Sequence, residues 1–166
     1  MTRTLILMRH AKSSWSNMAL PDHDRPLNKR GRRSAAALGD WLRARDLLPD
    51  EVLTSTATRT LDTLAGLGVT APTQRLRDLY HAEADTMMEV LRSATGQTVL
   101  MLGHSPGIAD CAARLVSAVP DHPRFRDYPT CATLVADLPV TNWHQINWGT
   151  ARARGFVIPR ELVDLP

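Results

Sequence analysis

Charged and titratable side chains stand where the apolar runs of this chain end. Leu5-Ile6-Leu7-Met8 stops abruptly at Arg9-His10, and the run Thr98 to Leu102 stops at Gly103-His104. Arg59 falls in the first turn of a helix expected after a short strand, and His81, Glu83 and Asp85 follow a third, weakly patterned one. If these strands are parallel, all these groups project from one edge of the sheet, where open α/β sheets bind ligands. Two arginines and two histidines at such an edge suit a tetrahedral dianion such as a phosphoryl group. Guanidinium forks and imidazole N–H groups match its oxygens and offset its charge.

A second motif competes for the same turn. Gly103-His104-Ser105-Pro106-Gly107 fits G-x-S-x-G, and Asp137 and His144 follow in the Ser-Asp-His order of α/β-hydrolases. That elbow draws one oxyanion donor from the backbone N–H after the serine, and Pro106 has none. His104 is therefore the expected working residue of the turn.

The elements that must position these groups follow from pattern. A short apolar run such as Leu5 to Met8 reads as a strand buried on both faces, typical of a parallel sheet. Pro21 and Pro26 break the following loop, and Asn28 can cap a helix to about Arg45 with Ala35, Leu38, Trp41 and Leu42 as its apolar stripe. Pro49-Asp50 turns into a strand at 51–54, and a helix at 58–67 stops near Gly66 and Gly68. A third strand is expected at 74–77, a helix at 85–94, a strand at 98–102 and a helix at 108–119. A proline-rich loop spans 120–130, two strands are expected at 131–138 and 143–148, and Phe156 to Ile158 reads as a short closing segment. The alternation predicts an α/β fold, with helices on both faces of a mainly parallel central sheet in three α/β/α layers.

At 166 residues the chain reads as a single domain, 1–166, large enough for a real core. The 43% hydrophobic and 22% charged content is ordinary for a globular protein. Eighteen of its 20 basic residues are arginine, but they are scattered and carry no nucleic-acid-binding signature, so no nucleic-acid partner is expected. Leu5 to Met8 is too short for a secretory signal and is cut by Arg9, and no segment approaches membrane-spanning length. Cys111 and Cys131 have neither metal-binding nor redox spacing. A cytoplasmic protein without membrane partners is expected.

At the residues singled out above, the sequence resembles the histidine phosphatase superfamily, which includes phosphoglycerate mutases and acid phosphatases. The family's first motif is Arg-His-Gly, then a Ser, a Trp and an Asn. Arg9-His10-Ala11-Lys12-Ser13-Ser14-Trp15-Ser16 is similar, with Ala11 in place of Gly and Ser16 in place of Asn. Leu27-Asn28-Lys29-Arg30-Gly31 resembles the stretch opening the first helix, Val52 to Thr60 the segment with the second arginine, and Leu102-Gly103-His104 the segment with the second histidine. Small size, Asp24-Arg25-Pro26-Leu27 and Leu79-Tyr80 look most like the compact SixA-type branch, which includes phosphohistidine phosphatases acting on signalling proteins.

The resemblance implies a phosphoglycerate mutase-like fold and a metal-independent phosphatase that needs no cofactor and passes through a phosphohistidine enzyme intermediate. His10 would be the nucleophile, while Arg9, Arg59 and His104 would bind the phosphoryl oxygens. Neighbouring guanidinium charges should push the His10 pKa down, and a hydrogen bond from its other ring nitrogen would fix the tautomer. Ser16 would contact phosphate in place of an amide side chain. Arg25 could reach the substrate or form a surface salt bridge. Glu83 is the candidate general acid, with Asp85 behind it or capping the helix. The phosphorylated substrate would be phosphohistidine on a protein, for which an acid matters less, or a small phosphomonoester. A phosphate-binding module without turnover is the reading from another class.

Overall fold

Leu5, Ile6, Leu7 and Met8 are fully buried because each face of their strand is covered by a different layer. Leu5 and Leu7 pack into one apolar cluster and Ile6 and Met8 into another. The computed structural model describes residues 1–165; Pro166, the last residue of the expected domain, lies outside them. The elements are β1 (Arg3–Arg9), α1 (Lys29–Ala44), β2 (Glu51–Ser55), α2 (Thr58–Leu67), β3 (Thr73–Leu76), α3 (Ala84–Arg92), β4 (Thr98–Gly103), α4 (Gly107–Leu115), β5 (Thr133–Leu138) and β6 (Arg152–Val157). Among the described residues the strands form one sheet in the order β3-β2-β4-β1-β5-β6. The pairs β1/β4, β2/β4 and β2/β3 are parallel, whereas β5 is antiparallel to both β1 and β6.

Ala35, Leu38 and Leu42 of α1 and Leu67 of α2 cover the Ile6/Met8 face, while Met87, Met88 and Leu91 of α3 and Ile108, Cys111 and Leu115 of α4 cover the other. The three α/β/α layers expected from the alternation are present. Cys111 and Cys131 are free and buried, and burial pushes each thiol up to about 12.

Local chemistry accounts for the helix boundaries. The Asn28 side chain accepts a hydrogen bond from Gly31 N at 2.8 Å and so caps α1. Gly31 also lets the helix start lie against the loop after β1, since a Cβ there would stand 2.1 Å from the Lys12 carbonyl oxygen. α2 ends on Gly68 in the left-handed conformation (φ 69°). α4 stops at Leu115, short of the expected 119. The Arg114 and Leu115 carbonyls accept from Gly149 N (2.7 Å) and Ala151 N (2.9 Å), which draws the chain out of the helix toward the strand after it.

The C-terminal third corrects one expectation. Residues 143–148 are not a strand; Trp143–Gln145 form a 3-10 turn packed beside α3. The Trp143 indole donates to the Gly96 carbonyl (2.6 Å), and Arg92 donates to the Ile146 carbonyl (3.0 Å). The apolar spacing there serves packing under a helix. The last strand is β6, which carries Arg152 and Arg154 at the sheet's edge, where charge discourages further pairing.

The 120–130 loop returns to the centre of the sheet. Tyr128 is fully buried, its hydroxyl donating to Leu7 O (2.5 Å) and accepting from Leu134 N (3.1 Å), so it bridges β1 and β5. Removing the hydroxyl strands two buried backbone groups, at a cost of about 1–3 kcal/mol. Tyr128→Phe should therefore lower stability by that amount in a urea melt with an unchanged m-value; no shift in midpoint would contradict the bridging role.

Candidate active site

The parallel register sets Arg9, at the end of β1, opposite Gly103, at the end of β4. The residues that follow, His10 and His104, therefore emerge side by side, with ring centroids 5.3 Å apart. Backbone bonds from His10 N to Gly103 O (3.1 Å) and from Cys131 N to His10 O (2.9 Å) hold the first turn on both sides. Asp137 pairs with Thr4 at the far end of β1, so Ser105, Asp137 and His144 do not converge, and the serine-hydrolase arrangement is absent.

His10 is buried, and its Nδ1 lies 2.7 Å from the Ala11 carbonyl oxygen. A carbonyl only accepts, so Nδ1 carries the proton and Nε2 presents a lone pair. Burial lowers the His10 pKa most, the Ala11 carbonyl works in the opposite direction, and Arg9, Arg59 and Arg25 lower it further, to about 3. Charge alone was the expected cause; desolvation is the larger one.

His104 is oriented by Ser55 at the end of β2, with Nε2 to Oγ at 2.8 Å. Ser55 Oγ accepts from Ala57 N (3.2 Å) and has a hydroxyl hydrogen to donate to His104 Nε2. With Nε2 accepting, Nδ1 carries the proton, and it has no partner among the described residues. Burial, then the charges of His10, Arg59 and His81, lower the His104 pKa to about 2 against a smaller opposing effect of Asp22.

Three guanidinium groups surround the imidazoles. Arg9 donates to the Tyr128 carbonyl (3.1 Å), which gives the 120–130 loop its part in the site, and burial followed by Arg59 lowers its pKa. Arg59 is buried in the first turn of α2, where Thr63 Oγ1 accepts from Ala11 N (2.9 Å) and donates to Arg59 O (2.7 Å), tying the helix to the His10 loop. Arg25 is buried too; it donates to Ser13 Oγ (3.0 Å) and Asp22 Oδ1 (2.9 Å) and lies 3.7 Å over the Trp15 ring. The Nε atoms of Arg9, Arg25 and Arg59 have no hydrogen-bond partner among the described residues. Buried donors without acceptors beside two neutral imidazoles form a ready anion site.

Not every expected residue joins this cluster. Ser16 is exposed and bonds to Ser14 Oγ (2.9 Å), while Ser13 occupies the buried position against Arg25. Glu83 is exposed at the N-cap of α3, and Asp85 pairs with Arg114 (3.2 Å). Sequence reasoning missed Ser55, Ser13 and Asp22, whose partners lie 49, 12 and up to 59 residues away. No local signal marks such pairs, although the Tyr80-His81 step beside Asp22 was in view.

The profile of the histidine phosphatase superfamily (branch 1) matches residues 5–80. An uncharacterised protein of Mycobacterium tuberculosis is 37% identical over 160 residues, spanning 92% of this chain and 100% of that one. The structure of a candidate phosphohistidine phosphatase SixA from Nakamurella multipartitia is 32% identical, covers 96% of this chain and 97% of its own, and superposes with a TM-score of 0.86. The chain belongs to the histidine phosphatase superfamily. It is thus a phosphatase with the family's phosphoglycerate mutase-like fold. A protein histidine phosphatase SixA complexed with tungstate shares that fold at 20% identity over 96% of this chain and 99% of its own, with a TM-score of 0.78. Among the described residues of this histidine phosphatase, no helix is long and apolar enough to cross a membrane.

The depressed pKa values have a signed consequence. Between about pH 6.5 and the folded values near 3 and 2, the unfolded chain binds protons that the folded one refuses. Stability should therefore be fully present above pH 6.5 and fall as the pH drops through this window. A nitrogen-15 NMR titration should find both imidazoles neutral at pH 5, with the proton of His10 on Nδ1; half-protonation near pH 6.5 would refute this.

Proposed function

We propose that this phosphatase transfers a phosphoryl group from phosphohistidine on a cytoplasmic protein to His10, and then from His10 to water, without a metal. The observation that carries the reading is the His10 tautomer. With Nδ1–H held by the Ala11 carbonyl, Nε2 is an unprotonated nucleophile inside a ring of cationic donors. Arg9, Arg59 and the Nδ1–H of His104 would bind the phosphoryl oxygens and stabilise the charge of the transition state, the task metal ions perform elsewhere. Arg25 supports the same field from its bond to Ser13.

The position of Glu83 supports the choice of substrate. An alkoxide leaving group needs a proton donor, and this carboxylate stands exposed at a helix cap, outside the cluster of donors. An imidazole protonated on its distal nitrogen leaves as a neutral ring and requires no such acid. Likeness to the Nakamurella protein, reported as a candidate phosphohistidine phosphatase, points the same way.

The test is turnover in EDTA of a histidine-phosphorylated carrier domain against a panel of small phosphomonoesters, with wild type and His10→Ala side by side. Faster release from the carrier domain is expected, together with an acid-labile phosphoryl label on wild type; both should vanish in the variant. Preference for one small ester would make the protein a metabolic phosphatase. Binding of phosphate without any turnover would make it a binding module.

A further inference from the structure

Among the described residues one carboxylate, Asp22, is bonded to the arginines of the site, where a phosphoryl dianion does not itself call for negative charge. Asp22 opens a short 3-10 turn, Asp22–Asp24, in the loop between β1 and α1. Its Oδ2 accepts from Arg59 Nη2 (3.1 Å), Tyr80 OH (2.5 Å) and His81 Nε2 (3.0 Å), its Oδ1 from Arg25 (2.9 Å), and its backbone carbonyl from Arg59 Nη1 (2.8 Å). Burial acts to raise this carboxyl, but the bonds from Tyr80, Arg25, His81 and Arg59 outweigh it and keep the group ionised. A fixed negative charge beside a phosphate site repels a dianion, so its presence asks for a compensating positive charge on the substrate.

Asp22 stands on the open side of the site. Its side chain is 44% exposed while that of Arg59 is 3% exposed. His10 is buried, so a leaving group departing from it heads for solvent, to which Asp22 is exposed. The rings nearby form an aromatic wall: Tyr80 lies tilted against His81 with centroids 4.2 Å apart, edge-on to His104 at 5.4 Å, and edge-on to His23 at 4.8 Å. A flat, cationic ring suits a wall of π faces that ends in a carboxylate.

We infer that Asp22 selects the leaving group by accepting the distal ring N–H of a protonated phosphohistidine. The inference rests on the function proposed above and assigns its leaving-group specificity to one residue. In the step, His10 Nε2 bonds to phosphorus and the P–N bond of the substrate breaks. The electron pair goes to the departing nitrogen, and the ring leaves neutral, its distal N–H kept and still donating to the Asp22 carboxylate. Water then cleaves the His10–phosphorus bond, releasing inorganic phosphate. A neutral alkyl leaving group offers Asp22 nothing and only brings its phosphate dianion near a like charge.

Asp22→Asn keeps shape and most hydrogen bonds while removing the charge. The ratio of its kcat/KM for free phosphohistidine to that for p-nitrophenyl phosphate should fall about 10- to 100-fold, the loss of a charge-assisted hydrogen bond made only by the phosphohistidine ring. Equal losses on both substrates, or none on either, would overturn the inference and leave Asp22 a clamp on Arg59. Wild type lacking phosphohistidine turnover, with ester hydrolysis still dependent on His10, would overturn the proposed function and this inference with it. If Asp22→Asn fails to fold, the pH profile of wild-type kcat for phosphohistidine, which reports groups in the bound complex, decides. Asp22, flanked by Arg25, Arg59, Tyr80, His81 and His104, should carry activity to higher pH than the distal nitrogen's titration in free phosphohistidine. An alkaline limb at the free titration point would refute it.

Discussion

Arg9, Arg25 and Arg59 all act electrostatically on one buried imidazole, and the Asp22 carboxylate touches only two of them. Such a group repels itself and would disperse if its anchors were soft. The anchors are instead the ends of parallel strands and the first turn of a helix, whose backbone positions are fixed by ladders on either side. Arg9 is pinned through the Tyr128 carbonyl, Arg59 through α2 and the Asp22 backbone, and Arg25 between Ser13 and the Trp15 ring. Sheet register, helix start and loop return each supply one member of the ring. The affinity for an anion is the unrelieved part of that repulsion.

The same rigidity governs the histidines. Two imidazoles this close could not both be protonated at modest cost, and their surroundings keep both neutral with opposite uses. His10 turns its protonated nitrogen to the backbone and its lone pair inward. His104 accepts a hydrogen bond from Ser55 at Nε2 and leaves its Nδ1–H without a partner among the described residues. A lone pair and an N–H donor are thus presented by one residue type, each set by the partner on the far side of the ring. Burial contributes more than the arginines to the neutrality of both, so the balance rests mainly on packing and is little exposed to screening by salt.

Much of this was legible in the chain. Leu5 to Met8, the Asn28 cap, Gly68 after α2 and the run to Leu102 each have a local physical cause, and each appears where that cause puts it. Their common edge brought Arg9, His10, Arg59 and His104 into view together. Where reading failed, the deciding contact was remote. Trp143 and Ile146 are spaced like a strand but answer to Gly96 and Arg92, and the arginines of β6 disguise an edge strand as surface. Ser16 sits at the expected offset, yet the loop turns Ser13 inward instead. Asp22 lies among charged loop residues whose role is set only when the segment at Tyr80 folds against it.

Cys131 donates its backbone N–H to the carbonyl of His10, two atoms from the nucleophile's own ring attachment, yet its sulfur is sealed inside the sheet with Cys111 in the opposite cluster. Both thiols are held protonated and away from solvent, the state in which sulfur neither attacks nor is readily attacked. A phosphatase whose nucleophile is sulfur is silenced when an oxidant reaches it. With His10 Nε2 as the proposed nucleophile and both thiols buried and protonated, a peroxide finds no thiolate on this turn.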